Sequence, residues 1–349
     1  MASTPKTSSI SSDLTLPAGK FSPSAVSEET IKIKTMLGKA VTTGPSWFDV
    51  GAVEWRRMRD AGELAFPMAV KLPRARDTAV PSRDSGRDIP VRVVEPENGV
   101  KSRGILLHFH GGGFVVNTHQ DFDAVLARYA DECQLTAISV GYRLAPEHPY
   151  PAAPEDALDV AEYLIDHGEE RFNGLKLSVL TGESAGGCLA TVTTFALMRS
   201  RPSHSLAALV FNFAQFDVAG GLPLPSTYTK PYMINKTVLS HSAEAYTPGM
   251  SAQDRKAAGI SPLYEDLEAL AAEAPTKKLP PAIFHIGTDD PFLDENILMS
   301  AKWQITGSEG ISKFYPGCAH GFTAMGGKEA AEAAALTKRF LEEKLEAAS

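Results

Sequence analysis

Cysteine is scarce in this 349-residue chain: Cys133, Cys188 and Cys318 are odd in number, far apart and without C-x-x-C or zinc spacing. A disulfide framework and a cysteine-held metal site are therefore not expected, and a reducing compartment, the cytoplasm, is the expected location. Basic residues are outnumbered, with 34 Lys and Arg against 42 Asp and Glu, for a net charge of −8. Phosphate backbones and anionic membrane surfaces need clustered cations, so nucleic acid and membrane surfaces are not expected partners. No apolar run reaches the length of a membrane span. The opening residues MASTPKTSSISSDLTLPAGKFSPS lack an apolar core of signal-peptide length; being poor in acids, they leave an organelle transit peptide as the weaker alternative. There is no G-x-x-x-x-G-K-[ST], no G-x-G-x-x-G with a following acid and no internal repeat, so no cofactor is expected.

What is present is an ordinary globular composition, 43% hydrophobic and 22% charged, in a chain long enough to bury a large core. Residues 1–25 are rich in Ser, Thr and Pro and read as flexible. Residues 26–70 carry apolar side chains at helical spacing on either side of a GPS turn. Thereafter strands and helices alternate. The expected strands are DIPVRVVEP, RGILLHFH, QLTAISVGYRL, LKLSVLTGES, LAALVFNFAQ, PAIFHIGT and ISKFY. Helices are expected over DFDAVLARYADEC, PEDALDVAEYLIDHGE, AGGCLATVTTFALMRS, DENILMSAKWQIT and from about Lys328 onward. Such alternation implies a parallel sheet covered by helices on both faces. The pattern breaks over 217–275, where Pro, Gly, Tyr and short helical pieces indicate an insertion between core segments 71–216 and 276–349.

The segment TGESAGG has the form G-x-S-x-G, with Gly182, Ser184 and Gly186, placed between an expected strand and an expected helix. A helix-entry serine is the simple reading. A sharp turn that holds an exposed hydroxyl beside a helix N-terminus is the other, and the strand–turn–helix context favours it. A serine nucleophile needs a general base. His285 sits inside an apolar strand, while His119, His148, His167, His204 and His241 fall in loops, a helix end or the insertion. His320 follows the last strand, at the carboxyl edge where open α/β sheets hold ligands. The preceding loop TDDPFLDEN supplies four acids, Asp289, Asp290, Asp294 and Glu295. Asp294 reads as a helix N-cap and Asp290, before Pro291, as the preferred partner of His320, although spacing alone does not separate Asp290 from Asp289. The glycine cluster of HFHGGGF, at the end of a buried strand, can turn backbone amides toward a substrate oxygen, with His110 shaping the loop through hydrogen bonds.

These pieces, HGGGF, YRLAPEHPYPAAPEDAL, GESAGG, SPLYEDL, GTDDPFLDEN and HGF, occur in order across about residues 88–345. In them the chain resembles the hormone-sensitive-lipase-like branch of the α/β-hydrolases, the bacterial and fungal carboxylesterases with an HGGG motif. The resemblance implies an α/β-hydrolase fold: a mostly parallel central sheet, helices on both faces and a helical cap made from residues 26–70 and 217–275. It places Ser184, Asp290 and His320 in a catalytic triad and the oxyanion amides at Gly112, Gly113 and Ala185. Two departures stand out. Glu183 replaces the usual Asp and is expected to be a supporting acid beside the nucleophile; Asn117 and Thr118 lie where relatives carry Gly or Ser, and are expected to alter the pocket mouth. The implied activity is hydrolysis of small to medium, largely apolar carboxylic esters through an acyl-enzyme. A lactone or amide hydrolase, or a lyase or cyclase using the same site, is the alternative. The expected partner is a small-molecule ester, and the expected assembly a homodimer.

Overall fold

The five most apolar expected strands lie side by side, because only a strand covered on both faces can be apolar throughout. The computed structural model describes residues 15–65 and 68–348. Among these, eight strands form one sheet: β1 (Arg76–Pro81), β2 (Asp88–Val94), β3 (Ile105–Phe109), β4 (Thr136–Val140), β5 (Leu177–Glu183), β6 (Ala208–Asn212), β7 (Ala282–Gly287) and β8 (Gly310–Tyr315). Their order is β1-β2-β4-β3-β5-β6-β7-β8. β2 runs antiparallel to β1 and β4, and every pair from β4 across to β8 is parallel. β1 is an edge strand that the sequence reading missed. Three of its six residues are exposed and only Val80 is buried, so RDTAVP shows neither an apolar run nor a clean alternation.

Alternation along the inner strands divides the core into two layers. Leu106, Ala137, Val179, Val210 and Ile283 pack with the helices Asp123–Cys133 and Lys328–Ala348 through Leu126, Ala130, Phe340 and Leu341. Leu107, Phe109, Leu180, Phe211 and Phe284 pack on the other face against the helices Ala152–Arg171, Ala185–Ser200 and Leu293–Ile305. Trp303 of the last of these is fully buried among Phe195, Phe211 and Phe284. None of the described helices is long and apolar enough to cross a membrane.

The N-terminal segment folds as helices Glu28–Thr43, Trp47–Val50 and Ala52–Asp60, interrupted at the expected GPS turn. Ser27 caps the first by accepting from the Thr30 amide at 3.1 Å. Two 3-10 turns, Ala18–Phe21 and Pro23–Ala25, precede it where a flexible segment is expected from composition; residues 1–14 of that segment lie outside the described residues. Residues 217–275 hold the helices Pro223–Thr227, Lys236–Tyr246 and Leu267–Glu273 and no strand among the described residues. One local expectation fails. Phe292, not Asp294, occupies the N-cap of Leu293–Ile305, because Asp290 accepts from the Phe292 amide at 2.9 Å and starts the turn two residues before the expected helix.

Candidate active site

β5 delivers Glu183 to the carboxyl edge of the sheet, and the chain then turns at Ser184 into the helix Ala185–Ser200. Ser184 has φ 54° and ψ −122°, a conformation that L-residues hold only when their surroundings impose it. The constraint is visible: its amide donates to the Asn212 carbonyl at 3.1 Å, and its own carbonyl accepts from Gly187 at 2.9 Å and Gln215 at 3.0 Å. The flanking glycines make the turn sterically feasible. A Cβ on Gly182 would lie 2.2 Å from the Gly186 carbonyl oxygen, and one on Gly186 would lie 1.8 Å from that of Phe109. Both are far inside van der Waals contact, so strand and helix meet only through glycine.

The fold brings Ser184, His320 and Asp290 together from three different loops. His320 Nε2 is 2.8 Å from Ser184 Oγ, and His320 Nδ1 is 2.9 Å from Asp290 Oδ2. A carboxylate only accepts, so Nδ1 carries the proton toward Asp290 and Nε2 presents its lone pair to the serine hydroxyl. Asp290 is fully buried and His320 nearly so. Phe213 and Phe292 set their rings edge-on to the imidazole, with centroids at 4.8 and 5.1 Å.

The other acids of the loop point elsewhere. Asp289 bonds Lys34 of the N-terminal helix at 2.8 Å and also Lys230 of the insertion. Burial alone would raise its pKa, but the hydrogen bonds and charges of these two lysines outweigh it and hold the carboxyl below its usual range. Asp294 accepts from the Leu224 amide at 2.9 Å. Glu295 is fully buried and accepts the amides of Phe216 and Asp217; burial, ahead of the nearby acids Asp217 and Asp294, pushes its pKa well above the carboxylate range. The tertiary structure thus separates the two adjacent aspartates by direction: Asp290 faces His320 and Asp289 faces lysines.

Beyond β3 the backbone passes through His110 and Gly111 to Gly112 at φ 132° and Gly113 at φ 60°. Among the described residues no protein acceptor receives the amides of Gly112, Gly113 or Ala185, which leaves all three able to bind a substrate oxygen. His110 is buried, stacks on Tyr142 at 4.2 Å and places Nδ1 3.0 Å from the Gly111 carbonyl. Burial pushes its pKa down to about 3, so it is a neutral brace of the loop. Its neighbour on β3, His108, does something the sequence reading did not foresee. His108 Nε2 meets Glu183 Oε2 at 2.7 Å while its Nδ1 meets Ser139 Oγ at 2.8 Å. Glu183 therefore reaches across to the adjacent strand rather than into the substrate space. It also lines a small cavity of about 30 Å3 with Asn212, Tyr129 and Thr337. Asn117, expected at the pocket mouth, instead turns its amide nitrogen to the Gly111 carbonyl at 3.0 Å. Its φ of 67° aims the side chain back at the loop. Thr118 caps the 3-10 turn His119–Phe122, accepting from the Gln120 amide at 3.3 Å.

A cavity of about 500 Å3 lies between the insertion and the segment after β6, and one of its lining residues, Phe292, sets its ring against the His320 imidazole. Leu239, Ala243 and Phe292 supply its apolar wall, and Gln215, Asp217 and His241 its polar one.

Comparison with known proteins bears on the fold that carries this site. The family model described as "alpha/beta hydrolase fold" matches residues 106–324, well over half of the chain. An ethyl acetate hydrolase of Pseudomonas putida is 27% identical over 72% of this chain and 76% of its own length. An arylesterase of Saccharolobus solfataricus is 26% identical over 67% of this chain and 73% of its own. Among solved structures, a hyperthermophilic esterase from the archaeon Pyrobaculum calidifontis superposes with TM-score 0.76 at 26% identity, covering 89% of this chain and 97% of that one. Strand order, serine turn and family match lead to one assignment: the chain belongs to the α/β-hydrolase fold family, in its hormone-sensitive-lipase-like esterase branch.

Proposed function

We propose that Ser184, His320 and Asp290 are the working triad of this carboxylesterase and that the amides of Gly112, Gly113 and Ala185 are its oxyanion hole. One observation carries the reading: a single imidazole bonds a strained serine hydroxyl on one side and a buried carboxylate on the other. Ser184 Oγ attacks the ester carbonyl carbon as His320 Nε2 takes its proton. The carbonyl oxygen becomes an oxyanion held by the three free amides, at the positive end of the helix Ala185–Ser200. Collapse of the tetrahedral intermediate breaks the C–O bond, and His320 returns the proton to the departing alcohol. Water, activated by the same imidazole, then attacks the acyl-serine and releases the acid. Asp290 keeps Nδ1 protonated and offsets the charge of the transient imidazolium. His110 and Glu183 support this site without touching substrate, through the Gly111 carbonyl and His108 respectively.

The cap reading rests on packing between the two expected parts. Phe48 stacks on His241 at 4.0 Å, and Lys34 and Lys230 meet on one carboxylate, that of Asp289. Phe114, directly after the glycine loop, stacks on Tyr246 of the insertion at 3.8 Å, so the cap is seated on the oxyanion loop itself. The substrate class is the small, largely apolar ester, with the acyl or alcohol part lying along Leu239, Ala243 and Phe292. A cytoplasmic homodimer is the proposed state in the cell. Ser184→Ala tests the mechanism: turnover of a short-chain aryl ester should fall by at least about a thousandfold with the melting temperature unchanged or raised. A variant with wild-type turnover overturns it.

A further inference from the structure

The peptide linking Gly111 to Gly112 has the Gly112 N–H at one end and the Gly111 carbonyl at the other. A trans peptide is planar, so fixing the direction of the carbonyl fixes the opposite direction of the N–H. Two side chains grip that carbonyl. His110 Nδ1 and Asn117 Nδ2 each lie 3.0 Å from it. Just beyond, the amides of Val115 and Val116 both return to the Gly112 carbonyl, at 3.0 and 2.9 Å. The Gly112 amide itself donates to no acceptor among the described residues.

Asn117 holds this position at a cost to stability. Its φ of 67° lies in the left-handed region, which Asn tolerates better than other side chains but glycine adopts freely. Its Oδ1 is buried without a hydrogen-bond partner among the described residues. Exchanging Oδ1 and Nδ2 would set two oxygens against each other at Gly111, so the amide donor is the end that faces the loop. Glycine would suit the backbone and leave no orphaned oxygen, so backbone energy and the buried unpaired oxygen both disfavour the residue that is there. What Asn117 adds is a second donor on the Gly111 carbonyl.

We infer that Asn117 is a positioning residue of the oxyanion hole: its side-chain amide holds the Gly111–Gly112 peptide so that the Gly112 N–H points at the developing oxyanion. The donation also polarises the peptide, which makes that N–H a stronger donor. The inference rests on the triad and oxyanion reading above. Asn117 touches neither substrate nor reacting atoms, and His110 remains as a second grip, so its removal costs less than loss of an oxyanion donor.

The test is Asn117→Gly in the full-length chain, assayed with a short-chain aryl acetate and with an aryl trifluoromethyl ketone, whose serine adduct places an oxyanion in the hole. Expected are a kcat about tenfold lower, a KM within about twofold of wild type and a ketone Ki about tenfold higher, with a melting temperature equal to or above wild type. Slower turnover in a protein at least as stable is a split that a structural role would not produce. Asn117→Asp is the second variant: it keeps the shape but sets a carboxylate against the Gly111 carbonyl, and its kcat should fall further, by about a hundredfold. Wild-type kcat and ketone Ki in either variant, or a kcat loss matched by a lower melting temperature and an unchanged ketone Ki, overturns the inference. Ser184→Ala is measured alongside. If it is inactive while Asn117→Gly is unaffected, only the role of Asn117 fails; if Ser184→Ala is active, the underlying triad reading fails.

Discussion

The choice between Asp289 and Asp290 is a single-residue question with a large kinetic consequence. Asp290 is fully buried with its Oδ2 2.9 Å from His320 Nδ1, and it faces an imidazole that becomes cationic during acylation. With roughly 4 Å between charge centres and an effective dielectric of about 20, the attraction is about 4 kcal/mol, which corresponds to about a thousandfold in rate. Asp290→Asn removes that charge while keeping the shape, and its amide can also donate toward Nδ1 and favour the wrong tautomer. The expected kcat on an aryl acetate is therefore at least a thousandfold below wild type. Asp289→Asn is the matched control. Its carboxylate, itself largely buried, bonds Lys34 and Lys230, so the variant should lose on the order of 3 kcal/mol of stability through the uncompensated Lys34 but keep kcat within about threefold. Steady-state kinetics at pH 8, with active sites counted by an organophosphonate, measure both. A thousandfold loss in Asp289→Asn, with Asp290→Asn near wild type, would refute the reasoning and reverse the two roles.

Two further predictions concern stability. Gly186→Ala places a Cβ 1.8 Å from the Phe109 carbonyl oxygen, so either β3 or the helix Ala185–Ser200 must move; the expected loss is at least about 3 kcal/mol in urea denaturation, and a loss below about 1 kcal/mol contradicts the close approach. Glu295 has its folded pKa raised above its unfolded value chiefly by burial, so the fold favours its protonated form. Its contribution to stability falls as pH rises from the unfolded value near 4.5 toward the folded one and stays low above that. Glu295→Gln, neutral at every pH, should therefore melt higher than wild type at pH 8, with the gap closing toward pH 5. A gap that is constant with pH shows that Glu295 does not titrate with unfolding.

Much of the molecule is local in origin and so was readable from the chain. Apolar runs long enough for one strand each marked β3 to β7, and their order with intervening amphipathic helices implied a parallel sheet. G-x-S-x-G between strand and helix pointed to Ser184, and a histidine after the last strand to His320, because the topology obliges those loops to share one edge. β1 was not legible, since an exposed edge strand carries little burial pattern. Asp294 was misplaced because N-capping depends on where the turn begins, and Asp290 began it earlier.

By itself, then, the sequence determined the periodicities, the glycines where backbones must touch and the residue types that the chemistry needs, all of which depend on neighbours close in the chain. Tertiary structure alone decided the directions of side chains. It turned Asp290 to His320 and Asp289 to two lysines. It sent Glu183 across to His108 and brought Asn117 back to the Gly111 carbonyl. Each of these depends on the direction of a side chain and on a partner contributed by another element, and neither is written in the local pattern of residues.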